Sequence, residues 1–261
     1  MRAATHLRPH GEPAAKVGKL SRMRASSVTA LLLFGLIGCD PNPSTTSGMF
    51  GDIDLRRCKP GPGATGSPQS IAEAIVLANS LPQPATAACF LEALDRPLRI
   101  EASKSKASMQ PADGARSPRL FIFSGDALII TAAIGGDGKD LIEFGETVAP
   151  GRTVKGEIEF PVTTQLADDA AYTRIRNPEH DNITVCFVCH DSERDEPGFP
   201  GARSSLAMRP RTKSLVPIES LSSELASCDW EAEEKRCLML QAVAAWGPLE
   251  RQEFEQGLPA F

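Results

Sequence analysis

Aromatic side chains are scarce in this 261-residue chain: they make up 5% of it, with one tyrosine and two tryptophans. A stacking platform for single-stranded nucleic acid is built on such rings, so their scarcity argues against one. Positive charge is short in the body as well. Residues 1–38 carry a net +5, which leaves −10 on residues 39–261. An acidic body is a poor phosphate binder, and nucleic acid is disfavoured as a partner. Histidine is scarcer still. Of four in all, only His180 and His190 lie beyond the first ten residues, and no Gly-x-Ser-x-Gly stretch occurs. A Ser-His-Asp hydrolase has little to build on. Finally, the one strongly apolar run is too short to span a bilayer comfortably as a permanent helix.

That run lies over 28–37, behind Arg22 and Arg24, which is the pattern of an export signal. It closes on Leu36-Ile37-Gly38-Cys39. These four residues resemble the lipobox of bacterial lipoproteins. The resemblance implies that residues 1–38 are a signal peptide, cleaved before Cys39, and that the acylated Cys39 thiol anchors the protein to a membrane of the cell envelope, facing the periplasm. The alternative is an ordinary secretory signal with an incidental cysteine. Residues 39–57 hold a Pro, Ser and Thr run without apolar periodicity and read as a flexible tether.

Export implies an oxidising compartment, where disulfides persist. The cysteines are Cys39, Cys58, Cys89, Cys186, Cys189, Cys228 and Cys237. With Cys39 set aside for lipid and Cys186 and Cys189 for the motif below, the simplest local pairing joins Cys58 to Cys89 and Cys228 to Cys237. Sequence alone does not prove connectivity.

Along the body, Ser67-Pro68 reads as a helix start, and Ile71, Ala74, Ile75 and Ala78 share one face at helical spacing. Strand patterns follow over 98–102, 119–123, 127–134, 141–146 and 153–160, with turn signals at Gly125 and Gly151. In the last strand Val154, Gly156, Ile158 and Phe160 face one way, while Lys155, Glu157 and Glu159 face the other, as for a sheet with one wet face. Residues 163–185 and 191–213 read as irregular. Helices are expected over 218–226 and 230–246, with Asp229 capping the second. The expectation is an α+β fold: a small antiparallel sheet with an N-terminal helix in residues 58–165, then a loop-rich segment and two C-terminal helices in residues 166–261.

The chemistry concentrates in Cys186-Phe187-Val188-Cys189-His190. Two cysteines three positions apart, followed at once by histidine, resemble the haem-attachment segment of c-type cytochromes. The resemblance covers these five residues. It implies haem c as cofactor, thioethers at Cys186 and Cys189, and His190 as proximal iron ligand. Met208 and, as an alternative, His180 are the candidates for the distal position, and Met239 reads as core. The flanks depart from the small soluble cytochromes, since an extended stretch precedes the motif and a Pro-rich, acidic one follows it. The acidic run 191–196 reads as a solvated, haem-rim or partner-facing surface. Other uses of the pair remain open: a structural or redox-active disulfide, a short staple, or zinc held with His190 and one more ligand. Two functions therefore compete. One is a membrane-anchored haem protein that passes electrons to a partner protein or senses a ligand, rather than an enzyme. The other is a haem-free, disulfide-stabilised lipoprotein serving as a binding or structural module.

Overall fold

The computed structural model describes residues 54–261, and the expectations for residues 1–38 and for lipidation of Cys39 lie outside them. Helix α1, Ile71–Ser80, begins at Ser70 rather than at Ser67. The Ser70 hydroxyl accepts from the Glu73 amide at 3.2 Å, and the Glu73 carboxylate reaches back to the Gln69 amide at 2.7 Å. Each end of this exchange satisfies an amide that the helix start leaves open. Its expected face, Ile71, Ala74, Ile75 and Ala78, is buried. A second helix, α2 (Ala87–Glu92), follows a Thr86 cap in a stretch for which the sequence pattern named no element, and it buries Phe90 completely.

Five consecutive antiparallel strands then form the centre of a sheet: β1 (Leu98–Ser103), β2 (Arg119–Ser124), β3 (Leu128–Ala133), β4 (Leu141–Ala149) and β5 (Arg152–Glu159). The turns at Gly125 and Gly151 have φ of 63° and 68°, a conformation glycine adopts without steric cost. Short helix α3 (Ala170–Arg174) packs on β5. The segment read as irregular, 191–213, supplies two more strands, β6 (Arg194–Asp195) and β7 (Arg203–Leu206), and β7 pairs with β5. At the other edge β8 (Leu215–Val216) runs antiparallel to one end of β1, and β9 (Leu249–Arg251) runs parallel to the other end.

Helices α4 (Ser220–Ala226) and α5 (Glu234–Ala244) lie between β8 and β9 in sequence. α5 starts later than expected. Asp229 accepts from the Glu231 and Ala232 amides at 3.1 Å, which caps the preceding turn instead of the helix. Among the described residues the fold is thus a predominantly antiparallel sheet of nine strands with five helices. Strands from residues 58–165 and from residues 166–261 share that sheet.

One face of the sheet carries Ile100, Leu120, Ile122, Ile130, Ile142 and Ile158, all buried in the core with α1, α2 and α5. Phe90 is wedged there, its ring 6.2 Å from Phe144 and 5.7 Å from Phe160. The opposite face carries Arg119, Thr131, Glu143, Lys155 and Glu157. Part of it is covered by segments that follow β5 in the sequence.

Candidate functional site

The segment over that second face is fixed at both ends. Arg176 and Thr184 form an isolated antiparallel bridge, and β6 and β7 tie its far end to β5. Between them Val185–Val188 makes a single 3-10 turn. Thr184 caps it, its hydroxyl accepting from the Cys186 amide at 3.1 Å. Glu193 holds Thr184 in turn: its carboxylate accepts from the Thr184 amide at 2.8 Å and from the Thr184 hydroxyl. The Glu193 side chain is 2% exposed, and Arg203 stands 3.6 Å from it. One member of the acidic run 191–196 is therefore an internal anchor.

The amides of Cys189 and His190 both donate to the Cys186 carbonyl, at 3.1 and 2.8 Å, and draw the motif into one compact loop. Both thiols are free. Burial pushes the Cys186 thiol up to about 12, with the negative charge of Glu143 acting the same way. A thiol so placed stays protonated and unreactive towards disulfide exchange.

His190 is gripped from the β7 side. Its Nδ1 lies 2.9 Å from the Leu206 carbonyl oxygen. A carbonyl only accepts, so Nδ1 carries the hydrogen and Nε2 keeps its lone pair. Burial lowers the imidazole to about 4, helped by the positive charge of Lys155, so the ring is neutral at pH 7.

Two cavities meet at this ring. The first, about 260 Å³, is lined by Cys186, Cys189 and Met109 among others. The second, about 290 Å³, contains no cysteine and is lined by Phe121, Phe123, Phe254, Arg99 and Arg152. Arg119, Glu143, Lys155, His190, Met208 and Phe261 border both. The C-terminal tail closes one side. Phe254 packs 5.2 Å from Phe121 and 5.1 Å from Phe123, and Phe261 lies 6.4 Å from Phe121. Arg209 holds the tail through backbone hydrogen bonds: its amide donates to the Pro259 carbonyl at 2.9 Å, and its carbonyl accepts from the Phe261 amide at 3.1 Å.

Cys186, Cys189, His190 and Met208 are thus brought to one cavity. His180 is not: it is exposed in the 177–183 turn and lines neither cavity. Cys58–Cys89 and Cys228–Cys237 are bonded as the local pairing expects, and Met239 is core. Lys155, Arg119, Glu143 and the two tail phenylalanines were not foreseen as site residues. Lys155 stood on the polar side of an alternating strand, which shows the face it belongs to but not which segment covers it. Among the described residues no group of three or more His, Cys, Asp or Glu side chains is placed to hold a metal ion. No family model matches the sequence, and no curated protein or solved structure matches it.

Proposed function

We propose that this protein is an envelope lipoprotein that carries one c-type haem at Cys186 and Cys189, with His190 as iron ligand, and that it transfers electrons. The observation that carries the reading is the His190 hydrogen bond to the Leu206 carbonyl. A histidine that ligates iron needs one ring nitrogen held by an acceptor and the other free, and this contact supplies that state. Its neutrality keeps the free lone pair available.

The other residues suit the group. Cys186 and Cys189 lie on one turn, three positions apart, at the edge of the same cavity. Adding each S–H across a vinyl double bond forms a thioether with no oxidant required. Met208 borders the same cavity as His190 and is the candidate for the distal position. A bound haem supplies a one-electron iron couple, raised in potential by a thioether ligand. The protein's part is to fix the His190 ring through Leu206, to hold the thiols through Thr184 and Glu193, and to exclude water with the aromatic tail. The exposed Phe187 and Val188, 42% and 81% accessible, offer a partner protein an apolar contact beside the motif.

The test is expression with a haem-maturation system, followed by haem staining of a denaturing gel. A stained band that disappears in C186S/C189S supports the reading. A colourless, exported wild-type protein rejects it in favour of the haem-free lipoprotein module.

A further inference from the structure

The charged side chains that line the two cavities differ in their partners. Arg119 is paired with Glu143, and Arg174 with Glu157 and Glu159. Lys155 has no such partner among the described residues. Its ammonium donates to the Thr153 hydroxyl and meets no carboxylate within ion-pair reach. Arg152, on the same strand, donates from Nη2 to the Ser192 and Ser204 carbonyls at 2.8 and 2.9 Å, and from Nε and Nη2 to the Ser204 hydroxyl. Arg99 likewise donates to the Gly125 carbonyl at 2.7 Å. All three border the second cavity, which Asp126, Glu143, Glu253 and Glu255 line as well, and Lys155 borders the first cavity too. An unpaired cation in a confined site costs stability unless an anion joins it.

We propose that Lys155, backed by Arg152, is a carboxylate-binding position for a flat, apolar-bodied acid held in the second cavity between Phe121, Phe123 and Phe254. The inference rests on the haem reading for one source of that acid. Haem has its vinyl groups on one edge and two propionates on another, and here the thiols line the first cavity while Lys155 stands where the first meets the second. A separate small aromatic carboxylate is the other source of the same chemistry. Burial also lowers the Lys155 ammonium to about 8, which marks it as a charge without adequate compensation.

The two sources separate in one set of titrations on the full-length protein. The C186S/C189S form, which cannot attach haem, is titrated with haemin and with haemin dimethyl ester by Soret absorbance, and with 2-naphthoate by calorimetry. Haemin should bind at least tenfold tighter than its ester. That preference should fall to near one in K155M and persist in K155R. Methionine matches the lysine stem in volume and removes the unpaired charge, so the variant should fold. Equal binding of acid and ester overturns the propionate assignment. Binding of naphthoate but not of haemin, weakened tenfold by K155M, keeps the carboxylate position and overturns haem as the source of the acid. Binding of neither ligand, or binding that K155M leaves untouched, overturns Lys155 as an anion partner, whatever the matured wild-type protein shows on a haem-stained gel.

Discussion

At His190 burial and the hydrogen bond have separate effects: burial keeps the imidazole neutral although the Leu206 carbonyl favours the protonated ring, and that carbonyl holds the hydrogen on Nδ1 so that Nε2 is free. The consequence for pH has a definite sign. The unfolded ring takes up a proton near 6.5, while the folded one does so only near 4. Stability of the haem-free C186S/C189S form should therefore fall as pH drops from 6.5 towards 4. Urea midpoints across that window check it; a flat profile contradicts the burial. Lys155 gives a window at the other end. Its folded value is depressed from 10.5 to about 8, so stability should rise as pH climbs through that interval, and K155M should lose the rise. Glu193 is the third telling residue. E193Q removes a buried charged acceptor from Thr184, at a cost of about 1–3 kcal/mol, and loosens the turn that presents Cys186. Both the urea midpoint and the yield of haem-stained protein should drop. The five-residue motif was legible from spacing alone. Glu193 was not, because a carboxylate that folds back onto Thr184 looks in sequence like any other member of an acidic run.

At the level of elements, strands with clean alternation and glycine turns were the easiest to read. β2 to β5 appear where the pattern put them, since the period of two and the positive-φ turns are local signals. Elements that depend on tertiary pairing were missed. β6 to β8 are two to four residues long and owe their form to the edges they join. α2, at six residues, is too short for a periodicity signal; Thr86 was its one local cue. The two disulfides staple elements of this kind. Cys58–Cys89 closes a separation of 31 residues and Cys228–Cys237 one of 9. Loop-closure entropy gives about 3.7 and about 2.6 kcal/mol for them. Paired serine substitutions should lower unfolding free energy in that order, read from denaturant curves, with the first pair costing more.

For the molecule as a whole, the sheet divides the labour. One face is an apolar core under the helices, and the other is a charged floor roofed by the CxxCH segment and the C-terminal tail. The alternation in β5 marks a polar face and reads as wet. The roof over that face comes from segments far along the sequence, around Cys186 to Met208 and Phe254 to Phe261, and no local pattern encodes their docking. Removing residues 253–261 strips Phe254 and Phe261 from the cavity wall. The truncated protein should still stain for haem, but with a lower midpoint potential, because water then reaches the iron's surroundings. An unchanged potential means that the tail is no part of the site. The most direct test of haem attachment is the pyridine haemochrome spectrum of the matured, exported protein, paired with its intact mass. One haem per molecule is expected, with the α band of a porphyrin whose two vinyl groups are both saturated by thioethers. A colourless protein, with a mass showing Cys186 and Cys189 joined to each other by loss of two hydrogens, would contradict it.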